Sequence, residues 1–311
     1  MNQFPMTPTR FKTIIEFHRF RHIAPPEHPL ISVIDLGSLD RQKWDAAGSE
    51  SLVFDFYSVA LKHNFPAKAK YGQQQYDFDE GVLSFMAPGQ VFGREPVPYA
   101  EFKPSGWLLL IHPDFLWNTA LAKTIKTYDF FSYAVYEALF LSEKEESTVS
   151  AISTNIQREY HANLDGFSQD IIIAQIELLL SYCQRSYHRQ FLTRKVANHR
   201  ILDRLESWLT DYFEGDKVAR NGLPTVQAVA QHLNISPHYL SDLLKVLTGQ
   251  TTQQHIHDRL IEKAKEELST TDLTVTEIAF HLGFEHSQSF SKMFKKRTNI
   301  SPLDFRRSVS H

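Results

Sequence analysis

Residues 286–311 carry Lys292, Lys295, Lys296, Arg297, Arg306 and Arg307 against one acid, Asp304, a net charge of +5. Cations at this density suit a polyanion better than a small neutral substrate, although a charged run is also what any solvated helix face presents. Groups for catalysis are harder to find. A metal-dependent enzyme of this size needs clustered histidines and a carboxylate, whereas His18, His22, His28, His63 and His112 are scattered. The close pair His255 and His257 falls on a segment with helical periodicity. The sequence contains neither a glycine-rich phosphate loop nor a nucleophile motif. Its one cysteine, Cys183, excludes an internal disulfide and a cysteine-based zinc site, and fits a reducing cytoplasm; it reads as a small core residue or a redox sensor. The chemistry available is therefore binding through charge and hydrogen bonds, with no cofactor and no metal expected.

Elements of a globular protein must position those cations. A length of 311 residues accommodates two domains, and 42% hydrophobic with 22% charged residues is ordinary for soluble chains. No run approaches the ~18 apolar residues of a membrane span, and residues 1–10 lack the pattern of a secretory signal. The overall charge of −3 conceals a division: residues 1–190 carry 17 Lys/Arg against 22 Asp/Glu, and residues 191–311 carry 16 against 14. The basic share lies in the C-terminal part.

That part contains an internal repeat. Thr225, Val226, Ala230, His232 and Leu233 recur 49 residues later as Thr274, Val275, Ala279, His281 and Leu282. After a one-residue insertion the match resumes 50 apart, Ser241, Lys245 and Thr248 pairing with Ser291, Lys295 and Thr298. Gly249 pairs with Asn299, and both residues tolerate the left-handed conformation that ends a helix. Each copy reads as helix, tight turn, helix. Thr225 and Thr274 are N-caps, Thr274 with Glu277 forming a capping box, and Ser236-Pro237 starts the second helix of copy one. Leu240, Leu243, Leu244 and Leu247 in copy one, and Phe290, Met293 and Phe294 in copy two, are the buried side of those second helices. The turns are Leu233-Asn234-Ile235 and Leu282-Gly283-Phe284, and an amphipathic helix of about 15 residues, ~22 Å long, joins the copies through Ile256, Leu260, Ala264 and Leu268. Single helix-turn-helix units also occur in all-α domains that bind no DNA; two in tandem, each trailed by basic residues, favour DNA.

The stretch Glu277-Ile-Ala-Phe-His-Leu-Gly-Phe-Glu, Phe290-Ser-Lys-Met-Phe-Lys-Lys and Ser301-Pro302-Leu-Asp-Phe-Arg306 resembles the DNA-binding domain of AraC/XylS-type transcriptional regulators, over about Leu223 to Arg307. The resemblance implies a sequence-specific regulator rather than an enzyme, with double-stranded DNA as partner. An activator would also have RNA polymerase as partner. Base edges would be read by His238, Ser241 and Asp242 in copy one and by Ser287, Gln288, Ser291 and Lys292 in copy two. Phosphates would fall to Lys245, Lys295, Lys296 and Arg297. Asp242 departs from the family, where basic residues are common at this position. It either accepts from a cytosine amino group or pairs with a nearby cation. Asn299 replaces the usual glycine at little cost.

The resemblance extends in arrangement to the N-terminal part and implies an α+β protein: a cupin-like β-barrel with packing and dimerisation helices over 1–192, a linker over 193–199, and an all-α domain over 200–311 with helix-turn-helix motifs at 225–249 and 274–299. The pattern agrees, with β-rich runs at Leu30–Leu36, Ser51–Leu61, Gly81–Met86 and Trp107–Ile111. Helices are expected over Asp129–Leu141, Glu143–Asn163, Ser168 to about Phe191 and Ile201–Phe213, and a polar turn over Gly215–Gly222. Ile172, Ile176, Leu179, Leu180 and Cys183 form one stripe, while Ile171, Ile173 and Leu178 widen the apolar surface enough to meet a second protomer in a homodimer. The segment Gly81–Met86 followed by Ala87-Pro-Gly-Gln-Val-Phe92 resembles the characteristic cupin turn. Phe54, Phe56, Tyr57, Tyr76, Phe85 and Trp107 either line a small-molecule effector pocket or are core. Control by a partner protein or by expression level is the alternative to an effector, and a cupin-type metalloenzyme is the rival from another class.

Overall fold

The computed structural model describes residues 8–39, 51–63, 81–93, 105–134, 137–162, 167–193, 195–214 and 217–309. The chain divides into two compact units, Met1–Thr193 and Arg194–His311.

In the N-terminal unit, the strands Thr9–Phe11 (β1), Ile31–Asp35 (β2), Ser51–Phe54 (β3), Tyr57–His63 (β4), Val82–Met86 (β5), Val91–Gly93 (β6), Ser105–Ile111 (β7) and Leu139–Phe140 (β8) form two sheets. Three strands run in the order β1-β3-β6 and five in the order β2-β7-β4-β5-β8. Among the described residues these are two open sheets rather than one closed ring. Strand β4 is the spine, paired along its whole length with β7 from Tyr57↔Ile111 to His63↔Ser105. Because side chains alternate across a strand, its two faces have different neighbours. Ala60, with Leu108 and Leu110 of β7 and Met86 of β5, packs on Phe11, Phe17, Leu52, Phe54 and Phe56. The opposite face carries Tyr57, 5.0 Å from Phe131, and Val59, whose cross-strand partner Phe85 lies 4.5 Å from Phe130 and 5.9 Å from Tyr187.

Helix Ile14–Phe20 (α1) was not among the sequence expectations, although its capping box, Thr13 with Glu16, is written in the chain. The helix expected over Asp129–Leu141 is not formed. A short 3-10 turn covers Asp129–Ser132, and Leu139–Phe140 instead joins the edge of β5. Tertiary partners override local propensity here: Phe130 and Phe131 are buried, and the buried Gln190 amide accepts from Phe140 N at 2.9 Å and donates to Ala138 O at 3.3 Å.

A short helix, Leu121–Thr124 (α2), precedes the long pair Glu143–Tyr160 (α3) and Ser168–Thr193 (α4). Burial pushes the Glu145 carboxyl up, but hydrogen bonds from Arg189 and Ser142 outweigh it and hold the group below the usual carboxylate range. The Arg189 guanidinium also donates to Phe140 O at 2.7 Å, clasping α3, α4 and β8 together. The expected inward stripe of α4, Ile172, Ile176, Leu179, Leu180 and Cys183, is buried. Burial also pushes the Cys183 thiol far up, which leaves it a protonated core group.

The C-terminal unit is all helix. Lys195–Glu214 (α5) begins within the stretch expected as a linker, because residues 195–199 contain no glycine or proline to stop it and Asn198 is buried. Lys217–Asn221 (α6) replaces most of the expected polar turn, anchored by the buried Val218. Then follow Val226–Leu233 (α7), Pro237–Thr248 (α8), Thr252–Thr270 (α9), Val275–His281 (α10), Ser287–Thr298 (α11) and Pro302–Val309 (α12). No helix of the described residues is long and apolar enough to cross a membrane.

Candidate nucleic-acid interface

Both expected helix-turn-helix units form, α7 with α8 and α10 with α11, and their ends follow from local chemistry. Thr225 Oγ1 accepts from Ala228 N at 3.1 Å, and Ser236 Oγ from Tyr239 N at 3.3 Å. Thr274 and Glu277 close a reciprocal capping box whose hydrogen bonds hold the Glu277 carboxyl below its ordinary value. A Ser or Thr N-cap such as Thr225 or Ser236 contributes on the order of 1 kcal/mol. The second helices end in left-handed residues, Gly249 at φ 76° and Asn299 at φ 65°. Within the turns Asn234 (φ 57°) and Gly283 (φ 78°) are also left-handed; a Cβ at Gly283 would stand 3.0 Å from Val218 Cγ1 and 3.1 Å from the Gly222 backbone, so glycine serves there for close approach as well as for conformation.

One apolar core fixes both units on α9. Val229, Ala230, Leu240 and Leu244 from the first, Ile278, Ala279, Phe290 and Phe294 from the second, and Ile256, Leu260 and Ala264 from α9 share it. The linking helix has 19 residues, ~28 Å at ~1.5 Å each, longer than expected because the Thr251–Gln254 capping box starts it earlier.

The expected reading residues lie on the two second helices. On α8, His238 is exposed, Ser241 and Asp242 are half-buried, and Lys245 Nζ sits 3.7 Å from Asp242 Oδ1. Of the two readings of Asp242, the geometry provides the pairing with a cation. On α11, Gln288 and Lys292 are exposed and Ser287 and Ser291 half-buried. Lys295 and Lys296 are exposed on the same helix, and no ion pair among the described residues engages Lys292, Lys295 or Lys296. Arg297, expected on phosphates, is already engaged: Nη1 donates to Asp258 Oδ1 at 3.2 Å and Nη2 to His257 Nδ1 at 3.2 Å.

Nothing in the sequence pattern marks Asp258 or Gln250, and His257 stands out there only as half of a close histidine pair. The helical periodicity that counts against a metal site at this His-x-His pair also separates the two rings, because residues two apart on a helix point to different sides. Here His255 Nε2 meets Thr248 Oγ1 at 2.9 Å while His257 meets Arg297. Among the described residues, no group of three or more His, Cys, Asp or Glu is placed to hold a metal.

The expected pocket aromatics are not gathered around one cavity. Phe54 lines a cavity of about 90 Å³ with Phe17, Arg21, Ser58, Lys62 and Met86, and Phe56 stacks on Phe54 at 4.9 Å. Tyr57, Phe85 and Trp107 belong to the opposite face of the sheet, where strand alternation sends them. Tyr76 lies outside the described residues.

Residues 229–308 match a family model described as a helix-turn-helix domain. The transcriptional activator RhaS of Escherichia coli O157:H7 is 33% identical over 139 residues, covering 45% of this chain and 45% of the relative. The chain thus matches less than half the length of that curated relative. The C-terminal domain of AraT, a response regulator from Geobacillus stearothermophilus, is 32% identical with a TM-score of 0.31, covering 35% of this chain and 84% of that one.

Proposed function

We propose that this chain, whose C-terminal unit matches a helix-turn-helix family model and resembles that of AraC/XylS-type transcriptional regulators, is a sequence-specific DNA-binding regulator acting on cytoplasmic DNA. The observation that carries the reading is α11: Gln288 and Lys292 face outward on a rigidly packed helix, flanked by the unengaged cations Lys295 and Lys296. Gln pairs with adenine and Lys donates to guanine in the major groove, while the flanking lysines suit phosphates. On this reading His238, Ser241 and Asp242 are the weaker set, since Asp242 is paired with Lys245. The relatives compared above are regulators, not enzymes.

With two recognition helices mounted on one ~28 Å rod, each monomer is expected to span two successive major-groove segments, ~34 Å apart. Footprinting of a duplex selected from a random pool tests this. Two protected segments per monomer are expected, and protection of one groove segment only contradicts it.

The same reading assigns the N-terminal unit a cupin-like, effector-sensing and dimerising role. The first part rests on the resemblance in arrangement, since the cavity between its sheets, about 90 Å³, is small for an effector; control by a partner protein or by expression level is the alternative. Supporting the second, α4 leaves Ile171, Leu178 and Leu192 between 44% and 46% exposed on its outer side, seven or fourteen residues apart, whereas Ile173, expected on that surface, is buried. Such a stripe fits the same helix of a second copy. Sedimentation at micromolar concentration should show a homodimer that Leu178→Glu converts to monomer; a wild-type monomer overturns this assignment. RNA polymerase joins the partners if the outcome is activation.

A further inference from the structure

The carboxylate of Asp258, on the linking helix α9, joins the last turn of the second helix-turn-helix unit to the short connection that follows the first. Its Oδ2 accepts from Gln250 Nε2 at 2.7 Å, just past the end of α8, and its Oδ1 accepts from Arg297 Nη1 at 3.2 Å, in the last turn of α11. Two neighbours on α9 extend the bridge, His255 to Thr248 and His257 to the second guanidinium nitrogen of Arg297. Burial, with the charges of Arg297 and Lys296, pushes the His257 imidazole below its ordinary value, which favours the neutral ring that accepts from Arg297.

We propose that Asp258 is a positioning residue that sets the distance and angle between the two recognition helices, and hence the spacing of the DNA segments this chain reads. The inference rests on the DNA-binding reading above. Apolar packing holds α8 and α11 on α9 but is non-directional, whereas one carboxylate oxygen fixes the end of α11, the other the residue that leads out of α8, and His255 the last residue of α8 itself. Both contacts lie at trailing ends, and the base-reading residues lie toward the leading ends. Each of α8 and α11 has 12 residues, ~18 Å, so a swing of roughly 10° about its trailing end moves its leading end ~3 Å, close to the ~3.4 Å rise of one base pair. The bridge is partly exposed, so its loss should change spacing preference more than stability.

The test uses the full chain, the best-bound duplex it selects from a random pool, and derivatives with one base pair inserted or removed between the two segments. Wild type should lose at least tenfold in affinity on either change. Asp258→Ala should lose only about threefold, with an unchanged melting temperature, and Gln250→Ala, which removes half the bridge, should fall between. The exchange D258R with R297D should restore the full penalty. Equal penalties in wild type, Asp258→Ala and Gln250→Ala would overturn the proposal, as would a folded exchange variant that restores nothing. The ratio between duplexes cancels the general gain in affinity from removing an acid near DNA. A wild type indifferent to spacing, or without affinity for any duplex, refutes the underlying two-segment reading instead, and the proposal with it.

Discussion

Lys292→Ala should relax sequence discrimination by ten- to a hundredfold while leaving binding to unrelated DNA nearly unchanged. Lys292 is exposed on the second turn of α11, which the proposed function assigns to base reading, and a good base contact is worth about 1–3 kcal/mol of discrimination. Lys296→Ala provides the contrast. It lies a turn further along the same helix and should weaken all sequences alike, reducing the slope of log affinity against log salt by about one unit. Titrations of the selected duplex and a scrambled duplex at several salt concentrations separate the two. If both variants lower the specificity ratio equally, the division between base reader and phosphate clamp is wrong. The corresponding change at Asp242 in α8 should have a smaller effect on discrimination, because the carboxylate is paired with Lys245.

The second large effect is expected from a residue that cannot touch DNA. Phe294 is 0% exposed, packed 5.8 Å from Phe290 and 5.7 Å from Phe305 by ring centroids. Truncating such a ring removes its burial and leaves a cavity, typically costing about 3–5 kcal/mol. For a unit of this size that should lower the melting temperature of the C-terminal transition by roughly 10–20 °C. Affinity should fall most near that transition and recover on cooling, which distinguishes lost packing from a lost contact. A melting temperature within ~2 °C of wild type would show that the core closes around the deletion far better than the usual cost allows.

The C-terminal unit was legible because its elements are specified by neighbours in sequence. Thr225, Ser236, Thr274 and Glu277 cap helices three residues away, and Gly249 and Asn299 end helices through their own φ angles. A repeat offset of 49 to 50 residues doubles the Thr225 cap at Thr274 and the Gly249 ending at Asn299, whereas the counterpart of Ser236, His286, makes no side-chain cap. The outward placement of Gln288 and Lys292 follows from 3.6-residue periodicity once Phe290 and Phe294 are assigned inward. What escaped the sequence depends on partners far along the chain. Leu139–Phe140 is a strand because β5 and Gln190, 50 residues beyond Phe140, take its hydrogen bonds. Phe54 and Phe85 look interchangeable as pocket residues until the tertiary structure places Phe54, on the three-stranded sheet, against one side of the five-stranded sheet and Phe85 on the other.

Arg297 shows the division most clearly. The sequence by itself determined that a cation stands at the end of the second recognition helix. Only the tertiary structure decided that Asp258, 39 residues earlier, accepts its hydrogen bond and ties it to the linking helix. Local caps and periodicity are encoded within a turn or two, where chain geometry leaves few choices; the partner of a long charged side chain is chosen by whichever helix the core brings alongside, and no short-range pattern records it.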